Sequence, residues 1–109
     1  MRNLVDTFSA LADPTRLSMV ERLMRDGALP AGELSAGYDI SAPAISRHLK
    51  VLRAAGLVHQ EVRGTQRIYS VRPEALRGIS DWTQSHRAFW TASLDRLEEA
   101  VLLEEHDHD

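Results

Sequence analysis

Six basic side chains in the middle of the sequence are the residues whose type and spacing suggest a binding function. Arg47, Lys50 and Arg53 recur every three residues, and three arginines follow within residues 63–72. Guanidinium and ammonium groups hold phosphate oxygens through charge-assisted hydrogen bonds, so such a block is typical of a surface that binds a polyanion. The later arginines are Arg63, Arg67 and Arg72, and the neutral hydrogen-bonding groups interspersed with the six are Ser46, Thr65 and Gln66.

The distribution of charge along the chain supports this interpretation. The net charge is −3, but residues 1–40 carry −2, residues 41–77 carry +5 and residues 78–109 carry −6. Phosphate binding depends on local charge, and a basic segment within an acidic protein therefore predicts a polyanion-binding face. A basic face that is only solvated is the alternative.

Catalytic and metal chemistry find little support in the sequence. There is no cysteine, which excludes a disulfide, a thiolate metal site and a cysteine nucleophile. The two imidazoles and two carboxylates of residues 106–109 suit Zn²⁺ or Ni²⁺, but a flexible terminus gives them no preformed geometry. We expect His48 to pack or hydrogen-bond and His86 to lie in a core or interface. We therefore predict no catalytic residue, no metal site and no cofactor.

Length and hydropathy predict a single soluble domain. A chain of 109 residues is too short for two independent cores, and 43% hydrophobic with 27% charged residues is ordinary for a globular protein. No apolar run approaches the ~18 residues of a membrane span, and Asp6 and Asp13 stand where a signal peptide needs apolar residues. We expect a cytoplasmic protein with a domain over residues 1–105 and a flexible tail over residues 106–109.

The first third of the chain predicts three helices. Apolar residues recur at helical spacing in residues 3–12. Asp13 then precedes a proline, and because Asp is a good N-cap and Pro suits the first helical position, a second helix is predicted over residues 14–26. A shorter helix follows Pro30. The side chains expected to be buried are Leu17, Val20 and Met24 in the second helix and Leu34 in the third.

The fourth predicted helix carries the basic row on one face. Ser41 caps it, a proline stands in its first turn, and Gly56 ends it. At about 100° per residue, Leu49 and Leu52 fall within about 40° of Ile45. The side chains on the opposite face are Pro43, Arg47, Lys50 and Ala54.

A hairpin and a long helix are predicted beyond Gly56. Two short β-prone runs, residues 57–62 and 66–71, flank a turn with Gly64 at its tip. Apolar residues then recur at helical spacing over residues 73–105, a stripe too long for one small domain to bury, so a second subunit is expected to cover part of it. A terminal helix folded back on its own domain is the alternative. The expected interface residues are Leu4, Val5, Phe8, Trp82, Phe89, Trp90, Leu97 and Val101.

This order of elements predicts a mainly α winged helix-turn-helix with a small β-hairpin. In such a fold the polar N-terminal half of the capped helix enters the ~12 Å major groove of duplex DNA, and the hairpin, or wing, reaches the flanking backbone or minor groove. The sequence therefore predicts a DNA-binding protein.

Three segments also resemble the ArsR-type bacterial winged-helix repressors, and the resemblance covers nearly the whole chain. They are FSALADPTRL at residues 8–17, SAPAISRHLKVLRAAGLV at residues 41–58 and RGTQRIY at residues 63–69. The resemblance implies a homodimeric repressor, paired through its first and last helices, that binds an inverted-repeat operator in double-stranded DNA. It places Ala42, Pro43, Ser46 and Arg47 at base edges, and it places Lys50 and the wing at the DNA backbone. The full predicted DNA-binding set is Ala42, Pro43, Ser46, Arg47, Lys50, Arg53, Arg63, Thr65, Gln66 and Arg67.

The departures from the family concern what is sensed. Family members that bind soft metals have cysteines where this chain has Pro30 and Gly32, and the last helix offers Asp81 and His86 without the paired spacing of the zinc-type site. The resemblance is therefore to a subgroup without a metal site, and the effector is unknown. The alternatives are a repressor that responds to a metal or ligand through its His-containing tail or last helix, and a winged-helix interaction module without DNA binding.

Overall fold

The computed structural model describes residues 3–107, which form helices and a small antiparallel sheet. The mainly α winged helix-turn-helix fold is confirmed, and the side chains of the predicted tail, residues 106–109, lie outside the described part. The helices are α1 (Leu4–Leu11), α2 (Pro14–Asp26), α3 (Ala31–Ser35), α4 (Ala42–Ala54), α5 (Pro73–Ser85) and α6 (Arg87–Asp107). The strands are β1 (Leu29–Pro30), β2 (Val58–Arg63) and β3 (Gln66–Val71).

The chain forms two compact units, Met1–Arg77 and Gly78–Asp109. The first contains α1 to α4 and the sheet, and the second contains most of α5 together with α6. Within residues 3–107, no helix is long and apolar enough to cross a membrane.

Side-chain caps fix where three helices begin. Asn3, Asp13 and Ser41 each accept a hydrogen bond from the backbone N–H three residues further on, at 2.9, 3.0 and 3.3 Å respectively. Each cap satisfies one of the N–H groups that the first turn of a helix leaves without a partner. The predicted caps of α2 and α4 are confirmed.

The buried face of α2 differs from the prediction. Val20 is buried as expected, but Leu17 and Met24 are 42% and 57% exposed, and Met19 and Leu23 are buried instead. Since α2 packs against α1, α4 and β3, these neighbours cover the side that carries Met19 and Leu23. That side lies about 100° or more around the helix from Leu17 and Met24.

The core of the first unit draws on every element around the basic helix. It contains apolar residues from α1, α2, α3 and α4 and from the strands, so α4 is fixed by its buried face. Its members are Ala10, Met19, Val20, Leu23, Leu34, Ile45, Leu49, Leu52, Ala55, Leu57, Val58 and Tyr69.

The sheet has the order β1-β3-β2, with both neighbours antiparallel to β3. Arg63 pairs with Gln66 at the end of the hairpin, so Gly64 and Thr65 form a two-residue turn. Gly64 has φ +62°, as the first position of a type II′ turn requires. Strand β1 was not predicted, because two residues that include a proline leave no alternating pattern to recognise.

The predicted long C-terminal helix is interrupted at His86. The carbonyl oxygen of Trp82 lies 2.9 Å from the Ser85 hydroxyl, which donates to it, and 2.8 Å from His86 Nδ1. The backbone N–H of His86 bonds to the carbonyl of Thr83, three residues back, at 3.2 Å. Side chains thus occupy the acceptor that a regular helix would offer to the His86 amide, and the backbone takes a tighter turn.

Candidate nucleic-acid interface

Helix α4 is held by one face and open on the other. Ile45, Leu49 and Leu52 are buried. The predicted residues of α4 are all exposed, and they are Ala42, Pro43, Ser46, Arg47, Lys50 and Arg53. The Ser41 cap and the following proline begin the helix where its N-terminal half can project from the core. This is the arrangement that a helix needs to enter a DNA groove.

The wing presents its predicted residues to solvent, but its cations are not equivalent. Arg63, Thr65, Gln66 and Arg67 are all exposed. The Arg63 guanidinium donates two hydrogen bonds to the Glu61 carboxylate, each of 3.2 Å, so part of its charge is offset locally. Arg67 has no ion pair with any residue that the structure describes.

The wing tip also closes a shallow cleft. Thr65, Gln66 and Arg67 line a space of about 490 Å³ with residues 30–33, which include the end of β1 and the start of α3. The structure thereby brings three predicted wing residues together beside the unpredicted strand.

A second group of cations forms what we call the basic groove. Its lining residues come from α4, β2 and the residue that follows β3, and they enclose about 490 Å³. Arg72 Nη2 lies 3.2 Å from His59 Nδ1, and the Arg72 backbone N–H donates to the Leu57 carbonyl at 2.8 Å. The lining residues are Lys50, Arg53, Ala54, Val58, His59, Gln60 and Arg72.

Sequence reasoning did not find this groove. It grouped Arg72 with Arg63 and Arg67, whereas Arg72 follows β3 and lies beside His59 of β2. The pairing of Val58 with Val71 brings residues 59 and 72 near each other. This strand register is part of the tertiary structure and cannot be predicted from the spacing of residues in the sequence.

A polar cluster ties the start of α2 to the basic helix. Arg16 Nε donates to the Ala10 carbonyl at 2.6 Å, and Arg16 Nη1 lies 3.4 Å from His48 Nδ1. His48 Nδ1 is also 3.9 Å from Asp13 Oδ2. The hydrogen bond from the Arg16 backbone N–H, with the charges of Arg16 and His48, holds the pKa of the Asp13 carboxyl below its ordinary value. The prediction that His48 hydrogen-bonds is confirmed.

The predicted interface residues stay a prediction, because the structure describes a single chain. Leu4 is half-buried, and the other seven, from Val5 to Val101, are exposed. His86 is exposed rather than in a core, and its interface role stays a prediction. In residues 78–109, Trp82 and Trp90 lie with ring centroids 6.2 Å apart, and Phe89 meets Trp90 edge-on at 5.0 Å.

No three His, Asp or Glu side chains converge on a common point within the described residues. The absence of a metal site remains a prediction, since residues 106–109 include the two terminal histidines.

Comparison with known proteins decides the family. A helix-turn-helix domain family matches residues 11–61, which run from the end of α1 into β2. The HTH-type transcriptional regulator Rv2034 of Mycobacterium tuberculosis is 45% identical over 80% of this chain and 78% of its own length. The chain belongs to the ArsR family of winged helix-turn-helix regulators.

Two further relatives show the extent of the likeness. The transcriptional repressor SdpR of Bacillus subtilis is 31% identical over 71% of this chain and 84% of its own. An ArsR-like transcriptional regulator from Rhodococcus sp. RHA1 superposes with a TM-score of 0.69 at 28% identity, covering 88% of this chain and 90% of the other. As an ArsR-family protein, this chain is a DNA-binding transcriptional regulator and not an enzyme.

Proposed function

We propose that this ArsR-family regulator represses transcription by binding an inverted-repeat operator as a homodimer. The observation that carries the proposal is the division of α4 into a buried apolar face and an exposed cationic face. A helix anchored in this way can place side chains in the ~12 Å major groove without losing its own packing.

The N-terminal half of α4 is assigned to base readout. Ala42, Pro43, Ser46 and Arg47 are exposed within its first two turns, and Arg47 can reach the O6 and N7 acceptors of guanine with two N–H groups. The remaining predicted residues are assigned to the phosphate backbone, and they are Lys50, Arg53, Arg63, Thr65, Gln66 and Arg67.

The apolar surface outside the core supports a dimer. Val5 of α1 and Leu97 of α6 are 73% and 62% exposed, and the aromatic side chains of residues 82–90 are exposed with them. Apolar surface of this extent is unusual in a monomer, and pairing with a second copy removes it from water. A two-fold axis then sets the two recognition helices ~34 Å or a multiple apart, so half-sites are spaced by whole turns of DNA.

Repression follows if the bound dimer covers a promoter, and SdpR, a relative of this chain, is itself named a repressor. We assign the protein to the cytoplasm, the compartment in which it would meet the DNA that it regulates. The effector is not assigned.

The deciding experiment compares Arg47→Ala and Lys50→Ala on a preferred site. Genomic fragments retained by the purified protein are sequenced, and binding to the preferred fragment and to a mixed-sequence duplex is measured over a range of salt. Arg47→Ala should cost ~1–3 kcal/mol on the preferred fragment and relax specificity, because a base contact is lost. Lys50→Ala should weaken both duplexes alike and reduce the salt slope by about 1, because a phosphate contact is lost.

The matched control is Arg25→Ala, which removes one positive charge from the end of α2, where Arg25 is paired with Asp26. If Arg47→Ala weakens both duplexes equally, the assignment to base readout is wrong. If the wild-type protein prefers no fragment over mixed sequence, the proposed operator function is wrong.

A further inference from the structure

We propose that the basic groove is a second phosphate site of the DNA interface, holding one backbone phosphate of the strand beside the recognition helix. The proposal rests on the proposed function, because it takes the exposed face of α4 as the side that meets DNA. It adds His59 to the interface and gives Lys50, Arg53 and Arg72 a common ligand.

The charge of the groove favours an anion. Lys50, Arg53 and Arg72 converge on it from two parts of the fold, and no Asp or Glu is among its lining residues. Within the described residues, none of the three forms an ion pair with a carboxylate. Like charges brought together in this way repel one another, and a bound phosphate offsets that repulsion because it attracts all three cations.

The contact between Arg72 and His59 prepares two donors for that phosphate. When the Arg72 guanidinium donates to Nδ1, the neutral imidazole carries its proton on Nε2 and offers it as a donor. The guanidinium has five N–H groups, and this contact uses one of them. The backbone N–H of Arg72 is bonded to Leu57, which fixes the residue at the rim of the groove.

The position of the groove on α4 favours DNA over a free anion. Lys50 and Ala54 line the groove and lie on the same face as Arg47, according to the helical period. The rise from Arg47 to Arg53 is ~9 Å at 1.5 Å per residue, which equals two to three base-pair steps of ~3.4 Å. A strand whose bases meet the start of α4 therefore passes the mouth of the groove within a few nucleotides.

The test is the salt dependence of binding to a mixed-sequence duplex, which needs no knowledge of the operator. The slope of log K against log salt is negative, and loss of one phosphate contact reduces its magnitude by ~0.9 per protomer. We expect this loss for Arg72→Gln, near wild-type behaviour for Arg72→Lys, and weaker binding at an unchanged slope for His59→Gln. Arg25→Gln, which removes a paired arginine elsewhere, should leave the slope unchanged.

A wild-type slope in Arg72→Gln, or an equal loss in Arg25→Gln, would overturn the proposal. Inorganic phosphate provides the other arm, followed through the His59 imidazole resonances. Saturation by phosphate below about millimolar concentration, together with a wild-type DNA slope in Arg72→Gln, assigns the groove to a free anion instead. If Arg72→Gln lowers the slope while the wild-type protein prefers no fragment, the phosphate site stands and the operator function fails.

Discussion

At the scale of single residues, one cluster connects the stability of α2 to the placement of the recognition helix. Asp13 caps α2, and Arg16 reaches from the first turn of that helix to the end of α1 and to His48 of α4. These contacts bind three helices together through polar groups at the edge of the core. A substitution at Asp13 should therefore change both the free energy of unfolding and the orientation of α4.

The lowered pKa of Asp13 predicts a particular dependence of stability on pH. Because the native carboxyl binds protons more weakly than the unfolded one, its contribution is fully present above the ordinary value of ~3.9 and is lost as pH falls through the native pKa. The free energy of unfolding is measured in urea from about pH 6 down to about pH 3, roughly the range in which carboxyl groups titrate. As the pH falls, the wild-type protein should lose stability more steeply than Asp13→Asn, which keeps a capping side chain.

The control for this prediction is Asp39→Asn, at an exposed Asp with no hydrogen bond or ion pair to another described residue. Its unfolding free energy should follow the wild-type pH profile. Identical profiles for wild type and Asp13→Asn would contradict the role given to the cap.

The pairing of Arg63 with Glu61 leads to a second prediction at this scale. Glu61→Gln removes the carboxylate that offsets part of the guanidinium charge, so Arg63 binds a phosphate more strongly. Affinity for a mixed-sequence duplex should rise, and the salt slope should steepen by up to ~0.9 per protomer. The double variant Glu61→Gln with Arg63→Gln should lose that gain, and a gain that persists in it would show that the pair is not the cause.

At the scale of elements, the sequence was most informative where local signals agree. The cap, the early proline, the terminal glycine and the apolar period all point to the same helix, and α4 is found at Ala42–Ala54. The wing is equally local, because Gly64 both ends β2 and permits the turn. Such signals predict an element whenever its own residues decide it.

The elements that were missed depend on contacts between distant residues. Strand β1 exists because β3 is available as a partner, and the buried face of α2 is set by its neighbours. The basic groove needs the register of β2 with β3 in addition to the position of α4. The predicted DNA-binding residues could thus be recognised by type, whereas His59 could be placed with them only by the fold.

Removal of the cap should weaken α4. Ser41→Ala takes away the oxygen that accepts from the N–H of Ala44, and N-cap serines contribute ~0.5–2 kcal/mol. Denaturant unfolding should show a loss in this range. Ser46→Ala, at a serine that is also exposed and lies within α4, should change stability much less. A similar loss in both variants would mean that the cap contributes nothing specific.

At the scale of the whole molecule, the proposed dimer predicts a dependence of DNA binding on self-association. Leu97 and Val101 lie one turn apart on α6 and are both exposed, so Leu97→Glu would place a charge within the surface that a partner covers. In sedimentation equilibrium at micromolar concentration, wild type should be dimeric, and Leu97→Glu should be largely monomeric with weaker binding to the preferred fragment.

The matched variant is Thr91→Glu, which adds the same charge at an exposed position about 120° around α6 from Leu97. It should remain dimeric and bind normally. A monomeric wild type, or a monomeric Leu97→Glu that binds as tightly as wild type, would refute the dimer.

The ion pair between Arg63 and Glu61 in the wing also affects how quickly the protein finds its site in a genome. A chromosome presents about 10⁶–10⁹ competing positions, and time spent on each rises with the number of phosphates neutralised there. Because Glu61 pairs with Arg63, it reduces the positive charge with which the wing binds the phosphates of any DNA sequence. In the proposed function, the carboxylate thereby shortens residence on each position and speeds transfer of the protein to the next one.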